Sequence, residues 1–331
     1  MSLSHQEDGG SQPDMIQSKV ARAAVVVAIV AACVFLTLHL TSGRIESFNM
    51  AAPELPVADR VVPEKVTPVR PNPNPNPLLL VEDVGTGLLA HVRRNGYVLD
   101  LAKLDLNKLT DDELLMTAHS YPDNADVLCR RKFRMGKIAD GGWEICDDPD
   151  IRPRSPCIIY SFGINYDFSF DDDASKLYGC HVYSFDPSME KAEQKYNRSE
   201  FIHFYKIGID GSSYKNDKKW QLHTLSDIRK LLGHEKTPID VIKMDIESSE
   251  WASVPQMIEA GELNNVRQLL IEYHVTSSAR DYLLPRLKVM QAIEKAGFKK
   301  FYVHKNYACA TNINGYPIAR TACYEVHYLK R

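Results

Sequence analysis

Short apolar runs alternate with stretches of helical period from Cys157 to the end of the chain. The run Ile158 to Phe162 reads as a strand that stops at Gly163, because a continuous apolar run bounded by a turn residue suits a sheet covered on both faces. A polar turn from Asn165 to Asp173 follows, then a short helical stretch around Ala174 to Tyr178. A second strand, His181 to Phe185, ends at Asp186. Further strands are predicted over Phe201–Ile209, Ile239–Ile246, Val266–Tyr273, Lys299–His304 and Cys323–Leu329. Helices are predicted over Pro187–Tyr196, Trp251–Gly261 and Arg280–Ala296, and between Thr224 and Gly233. Thr110 with Glu113, and Thr224 with Asp227, have capping-box spacing, and the first opens a helix over Asp111–His119. After Gly297 two strands come together, with a tight turn at Asn314-Gly315 between them. That order predicts an α/β fold whose mostly parallel sheet closes in an antiparallel C-terminal hairpin.

The stretch from Ile158 to Asp186 has the layout of a nucleotide-binding half-sheet. Gly163 and Asp186 stand roughly 20 residues apart, the spacing at which such folds place an acid that holds a ribose. A full dinucleotide fingerprint carries three glycines, and only Gly163 is present here. Ligands of open parallel sheets bind beyond the C-terminal strand ends, where strand order reverses. The predicted ends of the fourth and fifth strands carry Asp245, Glu247, Glu272 and His274. Residues two apart on a strand share a face, which pairs Asp245 with Glu247 and Glu272 with His274. Three carboxylates and an imidazole are costly to bury unpaired, which marks a reactive site or a salt-bridge cluster. Glu247 and Glu250 equally suit the first turn of the helix at Trp251. Asp171 to Asp173 reads either as a metal-binding acidic motif or as a solvated loop.

The N-terminus changes the picture of where such a domain works. Val20 to Leu40 is almost wholly apolar, and about 20 helical residues span a bilayer core. Lys19 and Arg22 lie at its start and only Arg44 follows closely, so the charge bias favours a signal anchor with a cytosolic N-terminus. A cleaved signal peptide ending near Thr41 to Gly43, or a buried helix, would also account for the run. Proline recurs from Pro53 to Pro77 and favours an extended stalk. The expected plan is a cytosolic tail at 1–19, an anchor at 20–40 and a stalk at 41–77. A helical extension with a disulfide hairpin at 78–156 and a catalytic domain at 157–331 complete it. A net charge of -3 leaves no footprint for nucleic acid. Six of the seven cysteines follow the apolar run, and an even number in a lumenal domain suggests disulfides. Cys129 and Cys146 flank the turn at Asp140-Gly141-Gly142, and Cys309 and Cys323 flank the final turn. Cys157 and Cys180 open two neighbouring strands, which completes three expected pairs. There is no CxxC, so no zinc site is expected. Asn197-Arg198-Ser199 is a glycosylation sequon.

The segment Ile239 to Glu247, with Lys243, Asp245 and Glu247 at alternate positions and Glu250-Trp251 behind it, resembles FkbM-type class I methyltransferases. The Cys129–Cys146 unit, Tyr160 to Ile164 and Tyr183 to Pro187 look closer still to the methyltransferase-like 24 group of animals. The resemblance covers about Leu128 to Leu329. It implies a Rossmann-like seven-stranded sheet that binds S-adenosylmethionine. By position it implies Gly163 and Asn165 at the methionine end, Asp186 on the ribose hydroxyls and Asp210 near the adenine. Asp245 and Glu247 would lie near the transferred methyl. Ser248 stands where the FkbM pattern has glycine, and the turn after Gly163 lacks the second glycine of that pattern. For a hydroxyl acceptor a base helps, and His274 or Glu247 is the candidate. The expectation is a type II Golgi enzyme that O-methylates a glycan or small molecule, with no metal. The competing expectations are a Golgi glycosyltransferase using Asp171 to Asp173, and a catalytically inactive fold that serves as an interaction module.

Overall fold

The computed structural model describes residues 100–331 except Gly315 and Pro317. The expected tail, anchor and stalk, the first part of the extension, and the glycine of the Asn314-Gly315 turn lie outside the described residues. Among the described residues no helix is long and apolar enough to cross a membrane.

Helix α1 (Asp111–Ser120) starts at the expected capping box, where the Thr110 hydroxyl and the Glu113 carboxylate each accept from the other's backbone N–H. A short hairpin follows, β1 (Lys132–Met135) against β2 (Trp143–Cys146). The first half-sheet comprises β3 (Ile158–Phe162), α2 (Ser169–Tyr178), β4 (His181–Phe185), β5 (Lys195–Asn197) and β6 (Ile202–Tyr205). A side sheet is built from β7 (Gly208–Ile209), β8 (Tyr214–Lys215) and β9 (Gln221–His223). The second half runs α3 (Leu225–Leu232), β10 (Ile239–Met244), α4 (Glu250–Glu259), β11 (Val266–His274), α5 (Arg280–Lys295) and β12 (Phe298–Lys305). The chain ends with the short pair β13 (Ala310–Thr311) and β14 (Arg320–Thr321), then β15 (Cys323–Lys330).

The central sheet has the order β12-β15-β11-β10-β3-β4-β6-β5. It is a mixed, Rossmann-like sheet whose strand order reverses between β3 and β10. β15 runs antiparallel between β11 and β12, as the two closing strands predict. The sheet has eight strands, not seven. The eighth, β5, occupies part of Pro187–Tyr196, where a helix was expected. There the chain closes only a turn, Ala192 N–H to Met189 O at 3.0 Å, and then pairs with β6. Pairing covers an edge that would otherwise expose open backbone groups. The expected third strand also breaks, with β6 in the central sheet and β7 in the side sheet. A further correction concerns Asp171 to Asp173, which lie in the first turns of α2 and not in a loop. Acids suit that end of a helix, and Phe170 and Ala174, four apart, face the core.

Side chains alternate between two cores. On one face Tyr160, Phe162, Ile242 and Ile271 pack with α1, α3, α4 and α5. On the other, Ile159, Val182, Val241 and Leu270 pack with α2 and the β1–β2 hairpin. The extension is therefore not a separate domain. Buried Gln268 of β11 clasps the hairpin, accepting from Cys146 N–H at 2.8 Å and donating to Cys146 O at 2.9 Å. Buried Lys300 of β12 holds both Asp126 oxygens at 3.0 Å beneath the Tyr121 ring. The three expected pairs, Cys129–Cys146, Cys157–Cys180 and Cys309–Cys323, are disulfides.

Cys157–Cys180 ties the starts of β3 and β4, so its removal frees the unfolded chain. Replacing both cysteines with alanine is expected to cost about 2–4 kcal/mol in urea unfolding of the domain. A stability unchanged to within about 0.5 kcal/mol would mean the sheet pairing alone secures that edge.

Candidate functional site

The β3 and β10 ends approach each other more closely than side chains allow. Asp245 N–H donates to Phe162 O at 3.1 Å, and Gly163 N–H donates to Phe185 O at 2.9 Å. A Cβ on Gly163 would stand 1.6 Å from the Asp245 carbonyl oxygen, and its φ is +79°. Only glycine fits there. The turn beyond it is strained, with φ of +45° at Asn165 and +64° at Tyr166. Across the cleft Glu247 and Ser248 have φ of +54° and +84°. Four of the five non-glycine residues with positive φ among the described residues thus border one edge, and such strain collects at ligand sites.

Asp186 braces this turn. Its Oδ2 accepts from Ile164 N–H at 2.8 Å and Asn165 N–H at 2.7 Å. Its Oδ1 accepts from the Ser188 N–H at 2.7 Å and the Ser188 hydroxyl at 2.6 Å. Four bonds use the acceptor capacity of a carboxylate. The ribose contact inferred for Asp186 therefore competes with bonds that the chain already makes. Only the Ser188 hydroxyl can rotate away without moving backbone.

A cleft of about 400 Å³ opens at this edge, within the range of small-ligand sites. Gly163, Asn165, Asp186, Asp210, Asp245 and Glu247 all line it, so six of the eight residues singled out in the sequence share one wall or floor. The side sheet brings Asp210 in. Its Oδ1 accepts from Gly211 N–H at 2.7 Å and its Oδ2 from the Tyr214 hydroxyl at 2.8 Å. Tyr214 and Trp220 also line the cleft. Pattern reading passed over both, because a two-residue strand at Tyr214 and a loop at Trp220 leave little periodicity.

Glu272 and His274 are buried at the end of β11 beside the loop that carries Asp245 and Glu247. The face argument for Asp245 and Glu247 does not hold, because β10 ends at Met244 and the loop beyond is not extended. The cluster forms through space. His274 Nε2 lies 3.5 Å from Glu247 Oε2 and 3.5 Å from Glu272 Oε2, and its Nδ1 lies 3.3 Å from Glu250 Oε1. Glu250 sits in the first turn of α4, as expected, but is fully buried and holds the imidazole. Burial alone would lower the His274 pKa, yet Glu250 first, then Glu272 and Glu247, raise it to about 9. Burial and the neighbouring Asp245 push Glu272 up to about 8. Glu250 is the leading partner of His274, and both imidazole nitrogens face carboxylate oxygens, which leaves Glu247 the more exposed of the two candidate bases.

Asp171 to Asp173 point to three structural partners. Asp171 takes the Ser184 hydroxyl at 2.6 Å, Asp172 takes Arg198 at 2.9 and 2.7 Å, and Asp173 takes Gly136 N–H at 2.9 Å. A second cleft of about 530 Å³ lies at the opposite edge, where the parallel strands begin. Two of its arginines are already in ion pairs, Arg267 with Asp240 at 3.6 Å and Arg152 with Asp147 at 3.9 Å. Its lining has no positive-φ residue. Open parallel sheets bind their ligands at the other edge.

The family described as "Methyltransferase domain" matches residues 107–330. The rat (Rattus norvegicus) protein named "Probable methyltransferase-like protein 24" is 26% identical over 215 residues, covering 56% of this chain and 56% of that protein. The human (Homo sapiens) protein of the same name is 27% identical over 187 residues, covering 50% of this chain and 48% of that one. The chain spans about half the length of the curated relatives it matches. Among solved structures, the precorrin-6y C5,15-methyltransferase of Geobacter metallireducens GS-15 is 8% identical, with a TM-score of 0.28, covering 54% of this chain and 84% of that one.

Two outcomes test this geometry. Gly163→Ala is expected to destabilise the domain by more than about 2 kcal/mol, because the turn must open; a variant as stable as the parent would refute the close approach. The His274 pKa lies above its unfolded value of 6.5, so its stabilising contribution is full below that pH and disappears as pH rises through about 9. The melting point of His274→Gln should therefore fall less than the parent's between about pH 6 and 9.5, and equal slopes would rule out the carboxylate cage.

Proposed function

The chain belongs to the methyltransferase domain family, and from that membership we propose that it is an S-adenosylmethionine-dependent methyltransferase acting on a hydroxyl of a glycan or small molecule. The observation that carries the reading is the cleft beside the β3–β10 reversal, floored by a glycine that nothing larger could replace. Its donor and acceptor set suits a nucleoside with an amino-acid tail. Asp210, Tyr214 and Trp220 offer a polar and aromatic wall for an adenine, and the backbone around Gly163 and Asn165 offers room for the tail. Asp186 would reach a ribose hydroxyl at Oδ1 once the Ser188 hydroxyl rotates away.

Bound S-adenosylmethionine supplies a methyl group already activated on a sulfonium, so the protein has to align the acceptor, exclude water and accept a proton. Glu247 is the base in this reading, with an exposed carboxylate at the cleft mouth. His274, caged by Glu250 and Glu272 and 3.5 Å from Glu247 Oε2, would hold Glu247 in place. Three disulfides favour an oxidising compartment, and Asn197 is exposed on the edge strand β5. Both agree with a domain held in the Golgi lumen by Val20 to Leu40.

Two observations favour a catalytically inactive relative. Asp186 is saturated within the chain, and Ser248, at φ +84°, stands where the resembled pattern has glycine. The glycosyltransferase reading loses its motif, since Asp171 to Asp173 are committed to Ser184, Arg198 and Gly136.

Thermal denaturation separates the readings. S-adenosylhomocysteine at 100 times its Kd should stabilise the domain by about 2.7 kcal/mol, while manganese with a nucleotide sugar should leave the melting point in place. No shift with S-adenosylhomocysteine would leave the inactive relative standing.

A further inference from the structure

Lys243 is the one residue of the Lys243/Asp245/Glu247 set left without a role. It points from β10 into the core and is 6% exposed. Its Nζ donates to Gly163 O at 2.5 Å and to Phe162 O at 3.3 Å. The Trp143 ring of the β1–β2 hairpin lies 5.4 Å from that nitrogen. Among the described residues no carboxylate oxygen lies within ion-pair distance, 4.0 Å, of it. Asp171 feels its charge, but the Asp171 Oδ1 is taken by the Ser184 hydroxyl. A buried cation held only by carbonyl dipoles and a ring is costly. It sits directly behind the turn whose other side is the floor of the cleft, and it does not itself line that cleft.

We propose that Lys243 is a positioning residue for the amino-acid tail of the methyl donor. It fixes the Phe162 and Gly163 carbonyls, and through them the shape of the turn. Its charge, set directly behind the turn, makes that end of the cleft favour the tail's carboxylate. The hairpin takes part, because Trp143 closes the far side of the lysine and the Cys129–Cys146 disulfide holds the hairpin shut. This rests on the methyltransferase reading given above, which assigns the Gly163 end to the tail and the Trp220 end to the adenine.

The test is calorimetric titration of the wild-type domain and Lys243→Met with two ligands. S-adenosylhomocysteine carries the tail, and 5′-methylthioadenosine is the same nucleoside thioether without it. Lys243→Met is expected to lose about tenfold or more in affinity for S-adenosylhomocysteine and less than about twofold for 5′-methylthioadenosine. Equal losses would reduce Lys243 to a structural role, and no loss would overturn the proposal outright. A merely structural lysine would not separate the two ligands. Lys243→Arg keeps the charge and should restore most of the discrimination. If Lys243→Met does not fold, wild-type protein and S-adenosyl-3-thiopropylamine, which lacks only the carboxylate, decide the matter. About tenfold weaker binding than S-adenosylhomocysteine is expected, and equal binding overturns the proposal. A wild-type domain that binds none of these ligands refutes the methyltransferase reading itself, a different result from binding without discrimination.

Discussion

The architecture depends on how closely β3 and β10 approach at their C-terminal ends. Parallel pairing brings Phe162 beside Met244, and the two chains then turn away from each other around Gly163 and Asp245. At that point the Asp245 carbonyl occupies the space of a Gly163 side chain. Two buried charges hold the turn from opposite sides. Asp186 binds its backbone N–H groups and Lys243 binds its carbonyls. A segment whose donors and acceptors are both met by buried charge is held rigidly. The cost is backbone strain at Asn165, Tyr166, Glu247 and Ser248, which the surrounding sheet carries.

A second feature follows from the order of the strands on the far side of β10. Cross-strand register sets Glu272 of β11 opposite Glu325 of β15, and Glu325 opposite His304 of β12. Both acids are buried on the face that the hairpin covers. Burial pushes Glu325 up to about 9, and His304 Nδ1 lies 3.0 Å from its Oε2. Asn306 donates to Glu272 and to Asp140 of the hairpin turn, both at 3.2 Å. The edge near Asp245 is thus backed by carboxyl groups that hold protons at neutral pH. Such groups donate hydrogen bonds where ionised ones could only accept.

Much of the fold was legible because its signals are local. Apolar runs stopped by Gly163 and Asp186, hydroxyl caps at Thr110 and Thr224, and cysteines flanking turns or opening neighbouring strands all act within a few residues. The misreadings arose where distant pairing decided the outcome. Residues 187–196 do not form a helix, and the last of them, Lys195 and Tyr196, enter the edge strand that pairs with β6. Asp171 to Asp173 join α2 because Ser184, Arg198 and Gly136 provide partners that only the fold brings near. The site was legible as a list of acids at strand ends, and the structure gathers them. Their ionisation was not legible. Glu250, arriving from the next helix, raises the His274 pKa against the effect of burial, and burial together with Asp245 from the neighbouring strand's loop raises that of Glu272. Lys243 stood in view within a recognisable motif, but its inward direction depends on which face the hairpin covers.

The central claim is that the ligand cleft lies between the Gly163 turn and the side sheet. A crystal structure of the domain grown with S-adenosylhomocysteine tests it directly. The account predicts the adenine against Tyr214 and Trp220 and the amino-acid tail at Gly163. Ligand density in the arginine-lined cleft at the opposite edge, or a Gly163 cleft filled by its own side chains with the ligand elsewhere, would contradict it.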